Sequence, residues 1–172
     1  MCAVEAAIVI PRYQRHAAQL FMPAPENSPL LIAQATAWAR AQQDYILQNG
    51  VTLNAFGLSL AAKVGVREPN QIRILFVDQL PAPTEEPLRS YVLETGLIGP
   101  QMIGMALGYG VFAVGAQAGV RLYSHEFRHV AQYESMGGIH AFIPVYMNQI
   151  FTYGYTDSPL EVDARAHEID EA

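Results

Sequence analysis

Apolar positions along this chain recur at two spacings, and the breaks between them fall at proline and glycine. Residues 30–49 are Ala-rich and set Ile32, Ala35, Trp38 and Ile46 at helical spacing before Asn49-Gly50, which predicts a helix. Residues 55–64 predict a shorter one. Between Pro69-Asn70 and Pro81, the run Ile72, Ile74, Leu75, Phe76 and Val77 predicts a buried strand over 71–78. A Pro-rich loop follows, then a helical stretch over 88–95 that Gly99-Pro100 ends. Residues 107–114 alternate as a strand, with Gly108 and Gly110 on one face. That bare face suits either close packing on another element or a ligand lying along the backbone.

Further on, Leu122, Val130 and Tyr133 keep a helical spacing until Gly137-Gly138 stops it. Residues 139–153 carry Phe142, Tyr146, Ile150 and Tyr153 as a core-facing stripe on a second helix. A turn over 154–157 leads to Pro159, well suited to open a last helix running to about Glu171. Ahead of all this lie a short segment through Leu20 and a Pro-rich connector over 23–29.

The composition narrows the class. At 172 residues, 51% of them hydrophobic and 15% charged, the chain is expected to form one compact domain. A net charge of −6 argues against nucleic acid, since no basic stripe is present to neutralise phosphates. The one cysteine, Cys2, permits neither an intrachain disulfide nor a cysteine-based zinc cage, and fits a reducing compartment. With no basic region or cleavage site of secretory type, the expected location is the cytoplasm. Residues 95–120 lack any charge and are long enough to span a bilayer, but they include Pro100 and seven glycines. They read instead as a buried helix followed by a strand and turn.

Chemistry is concentrated in His125-Glu126-Phe127-Arg128-His129. Residues four apart on a helix lie one above the other, so His125 and His129 can share one metal ion, with Zn²⁺ the natural choice. Glu126, about 100° further round the turn, can serve as general base towards a water on the metal's open position. A surface helix with two solvated histidines is the alternative. A third ligand must come from elsewhere, and Glu134, His140, Glu161, Asp163, His167 and Glu168 are the downstream candidates. Glu134 is too near on the same helix to fold back. Glu161 stands in the first turn of a new helix, where it can be aimed across at the histidines or can pair with Ser158 in a capping box.

The ordered set His125-Glu-Phe-Arg-His129, Gln132-Tyr133-Glu134, Gly137-Gly138, Tyr153-Gly154-Tyr155 and residues 159–165 resembles the short bacterial gluzincin-type metallopeptidase domains called minigluzincins. Residues 107–112 are similar too, and the resemblance covers about 70–168. It implies a zincin-like α+β fold, with a small sheet over the HExxH helix. The catalytic core would be about 70–172, preceded by a helical part over 1–68. It implies one zinc ion on His125, His129 and Glu161, Glu126 as base, and hydrolysis of a peptide bond. It further implies that 107–114 is an edge strand, where an extended peptide adds beside Gly108, Tyr109 and Gly110. Among Tyr153, Tyr155 and His140, Tyr155 is the first choice as donor to a developing oxyanion. Many gluzincins carry an acidic residue four positions after the ligand Glu, where this chain has Arg165; the partner of a zinc histidine must then come from elsewhere, with Asp163 the candidate. The rival readings are a non-catalytic zinc-binding scaffold and a metalloprotease anchored in a membrane through 95–120.

Overall fold

The computed structural model describes residues 24–99, 101–115 and 118–170. Cys2 and the opening segment through Leu20 lie outside the described residues. Among the described residues the architecture is α+β: six α-helices and a four-stranded mixed sheet.

Helix α1 (Ser28–Asn49) has proline in its first turn and buries Leu31, Ala35, Ala39 and Ile46, which fall on one stripe. Gly50 ends it by donating its N–H to the Ile46 carbonyl at 2.7 Å. Strand β1 (Val51–Thr52) follows. Helix α2 (Ala55–Lys63) is capped by the Asn54 side chain, which accepts from the Gly57 amide. A 3-10 turn over Pro69–Gln71 leads into β2 (Arg73–Val77). This strand is only partly buried, since Phe76 is half exposed, because it lies next to the two-residue edge strand β1.

After α3 (Leu88–Thr95) come β3 (Gly104–Leu107) and β4 (Gly110–Val114). The single strand expected over 107–114 is therefore corrected to a hairpin, and so is the buried helix expected within 95–120. Leu107 pairs with Gly110 across a two-residue turn, which needs positive φ at its first central position, and Gly108 supplies it at +60°. Among the described residues no helix is long and apolar enough to cross a membrane.

The sheet order is β1-β2-β4-β3, with β2 and β4 parallel and the other pairs antiparallel. Strand β4 is thus central and β3 is an edge. Both faces of β4 are covered, which is why its apolar run is nearly continuous. Phe112 joins the cluster formed with α1 and α5, whereas Val111 and Ala113 join Phe127 and Val130 of the motif helix. That helix, α4 (Val120–Met136), ends at Gly137, whose φ of 93° is left-handed.

Helix α5 (Ile139–Asp157) breaks at Gly154 and resumes for one turn, where only a turn was expected. Helix α6 (Pro159–Ala166) stops five residues short of the expected end at Glu171. The chain is drawn away from the helix towards α4: the Ile169 amide donates to Ser124 Oγ, and Glu168 pairs with Arg121.

The two-sided burial of β4 gives a direct test. Phe112→Ala should cost about 3–5 kcal/mol, as for a large aromatic removed from a packed core, whereas Phe76→Ala should cost under about 1 kcal/mol. Urea denaturation of both variants measures the difference.

Candidate metal centre

Helix α4 contains neither proline nor glycine, so the repeat holds through the motif and brings the His125 and His129 rings to a centroid separation of 4.9 Å. Their Nε2 atoms are 3.2 Å apart. Glu161 enters from the first turn of α6, with Oε2 3.5 Å from His125 Nε2 and Oε1 3.3 Å from His129 Nε2. These three residues can each offer an atom within 4.8 Å of the others, close enough to hold a metal ion.

The capping box that competed for Glu161 is not formed. Ser158 makes no side-chain cap; its hydroxyl meets Gln149 Oε1, which also accepts from the Leu160 amide. Gln149 of α5 thereby does the capping from outside, and Glu161 is free to turn inward, where it is 2% exposed.

Neighbouring groups set the tautomers. His125 Nδ1 lies 3.0 Å from Glu168 Oε1, an acceptor when ionised, so this nitrogen carries the hydrogen. Gln132 Nε2 faces two acceptors, the Leu160 carbonyl at 3.0 Å and Asp163 Oδ2 at 2.7 Å. Gln132 Oε1 must then be the atom facing His129 Nδ1 at 2.8 Å, and accepts from it. Each Nε2 is left with its lone pair directed at the other and at Glu161. Glu161 Oε2 is buried and accepts no hydrogen bond, with the Arg165 guanidinium 3.5 Å away. Two lone pairs and a buried carboxylate facing one another repel unless a cation lies between them, so the donor set fits a metal ion. Without one, a proton takes that place. Burial depresses the His125 imidazole, yet the carboxylates of Glu161, Glu126 and Glu168 outweigh it and raise its pKa above the ordinary range. Burial likewise pushes Glu161 up, but His125, His129 and Tyr146 prevail and hold it far below the usual carboxylate range.

Glu126 is 5% exposed, and burial raises its carboxyl pKa against the pull of both histidines and of a hydrogen bond to the Ala106 backbone. Strand β3 passes directly beside it: a Cβ on Gly104 would sit 2.6 Å from Glu126 Oε1 and 2.7 Å from Leu122 Cδ1. Tyr155 lines the same cavity. The residue is 39% exposed, but its hydroxyl end is enclosed, and burial followed by the Glu161 and Glu126 carboxylates pushes the phenol far above its ordinary range.

Other sequence-based candidates lie elsewhere. Gly108 and Gly110 pack against Gln43 and Ile46, the close-packing alternative, and the Tyr109 hydroxyl donates to Glu134 Oε1 at 3.0 Å. None of the three lines the cavity at the histidines, and β4 is not the edge strand. Glu134 accepts from the Arg67 and Glu68 amides. His140 and Tyr153 are exposed, and His167 turns to the Asp163 carbonyl. Asp163 touches neither His125 nor His129. It accepts a fork of bonds from Arg128 at 2.7 and 3.0 Å and reaches His129 only through Gln132. The group at the other histidine is Glu168, seven residues after Glu161.

Two contributors escaped the sequence. Tyr146 donates to Glu161 Oε1 at 2.8 Å, but on the apolar stripe of α5 it is indistinguishable from a core aromatic. Gly104 is one of seven glycines in an uncharged stretch, and nothing local marks it as the one beside Glu126.

Replacing Glu161 by Gln should weaken metal binding by more than about 100-fold, since loss of a ligand exceeds the 10–100-fold typical of an outer partner. Gly104→Ala should leave metal binding within about tenfold of wild type, since it displaces the Glu126 carboxylate rather than one of the three donors. Competition with a chelator measures both variants. No protein-family model matches the chain, and no curated protein or solved structure matches it significantly.

Proposed function

We propose that this protein is a zinc-dependent peptide-bond hydrolase with a zincin-like fold. The observation that carries the proposal is the convergence of two imidazole lone pairs and a buried carboxylate whose Oε2 accepts no hydrogen bond, with a second buried carboxylate beside them in an open cavity. The minigluzincin resemblance supports the same reading. Two nitrogens and one carboxylate suit zinc, which takes three protein ligands in catalytic sites; calcium and magnesium prefer six or more oxygens. A single cysteine is ordinary in the cytoplasm, where we place it.

Zinc held by His125, His129 and Glu161 would supply a Lewis acid that acidifies water and polarises a carbonyl. Glu126 accepts the proton of the attacking water, and burial makes its carboxylate a better base than an exposed one. As the C–N bond breaks, Glu126 passes that proton to the leaving amine. Tyr155 keeps its proton throughout the neutral range and can donate a hydrogen bond to the oxyanion. Glu168 and Gln132 hold the two rings in one tautomer. The edge for an extended peptide is β3 rather than 107–114, since it borders both the cavity and Glu126.

Glu126→Gln keeps shape and removes the basic oxygen. Zinc content should stay at one per chain, while peptide hydrolysis falls by about 10²–10⁴-fold. Elemental analysis beside a peptide assay separates the outcomes. Unchanged turnover would remove Glu126 from its role. A zinc-loaded wild type that cleaves nothing in a broad peptide panel would favour the non-catalytic scaffold.

A further inference from the structure

A carboxylate can offer a metal one oxygen or both, and nothing in glutamate itself chooses between them. For a catalytic site the choice matters. Three protein donors leave the fourth position to water, and a second oxygen from the same side chain would compete for it. In this protein the two oxygens of Glu161 stand in different surroundings. Oε1 accepts from the Tyr146 hydroxyl at 2.8 Å. Oε2 accepts no hydrogen bond. The Arg165 guanidinium is 3.5 Å from Oε2 but donates to the Thr156 carbonyl, so its charge steadies this oxygen without occupying a lone pair.

We infer that Tyr146 is a positioning residue: it holds Oε1, so that Glu161 offers the metal Oε2 alone and the fourth position stays open. The inference rests on the proposed metal site and adds which oxygen is the donor and what restrains the other. A hydrogen bond to an ionised carboxylate is roughly twice as strong as a neutral one, and bringing Oε1 to the metal would cost that bond. Nor can the phenol follow the carboxylate. Its ring stacks on Phe142 at 5.5 Å and 17°, and Phe142 stacks on Tyr133 at 3.8 Å and 28°. The His129 ring meets it edge-on at 6.3 Å. Gln149, three residues further along α5, holds the start of α6 through the Leu160 amide at 3.0 Å. One helix thus fixes both the phenol and the backbone that carries Glu161. The single hydroxyl hydrogen is spent on Oε1, which separates this tyrosine from Tyr155, the donor left for a substrate oxygen.

Cobalt(II) in place of zinc makes the test spectroscopic, because its visible absorption reports how many ligands surround it. Wild-type full chain should hold one cobalt and show the strong band of a four-coordinate site. A weak band of higher coordination in wild type overturns the inference, whether or not any variant folds. Tyr146→Phe keeps the ring and its stacking and removes only the hydroxyl. Its band should lose intensity as Oε1 joins the metal. Azide, which competes for the open position, should bind at least about tenfold more weakly, the lower end for loss of a partner to a metal ligand. Tyr133→Phe removes a hydroxyl from the same stack and should match wild type in both readings, which a general loosening of the stack would not. A Tyr146→Phe band and azide affinity equal to wild type, or an equal change in Tyr133→Phe, overturns the inference and leaves the metal site standing. A wild type that retains neither cobalt nor zinc overturns the metal site, and the inference with it.

Discussion

Glu161 places a carboxylate in the protein interior, and the effective penalty for burying an unpaired ion is several kcal/mol. Its position is tolerable because two imidazoles, a tyrosine hydroxyl and the Arg165 guanidinium surround it. Each support has its own anchor. Gln149 satisfies the start of α6, so Glu161 has no capping duty. Arg128, one of the unspecified positions of the HExxH motif, forks onto Asp163 and also reaches the Val64 carbonyl, tying α4 to α6 and to the end of α2. The candidate metal donors are therefore held by charged and amide groups at one remove.

The same economy appears at the two histidines. Gln132 couples His129 to Asp163 and to the α6 backbone, so one amide fixes a ring tautomer and the spacing of two helices. Glu168 couples His125 to Arg121 just beyond the end of α6. Arg165 of α6 pairs with Glu161, and the carboxylate that orients His125 arrives three residues later in the chain. The early end of α6 turns Glu168 back towards α4, whereas a continued helix would carry it about 10 Å along the axis from Glu161.

The sheet governs access. A central, doubly covered β4 leaves β3 as the edge, and the absence of a side chain at Gly104 lets that edge approach the Glu126 carboxylate. Helix α1 covers one face of the sheet and α4 the other, and the cavity extends from the α4 donors to the α1 wall.

Much of this was legible in the chain itself. Helices α1, α2, α3 and α4 follow from apolar spacing and from glycine or proline at their ends, because helix formation is dominated by neighbours within a turn. The pairing of His125 with His129 is likewise a local consequence of the helical repeat. Glu161 could be named by its place at the start of a helix and by family resemblance, but local rules served the capping box equally well; the choice fell to Gln149, which is distant in sequence. Residues 107–114 misled because two-residue hairpins and single strands share the same alternation, and only the pairing of Leu107 with Gly110 separates them. Tyr146 and Gly104 carried no local mark of a place at the site, and Glu168 stood only as one of several candidate ligands. Their roles arise from packing between elements far apart in the chain, where distance and burial rather than periodicity decide which groups meet.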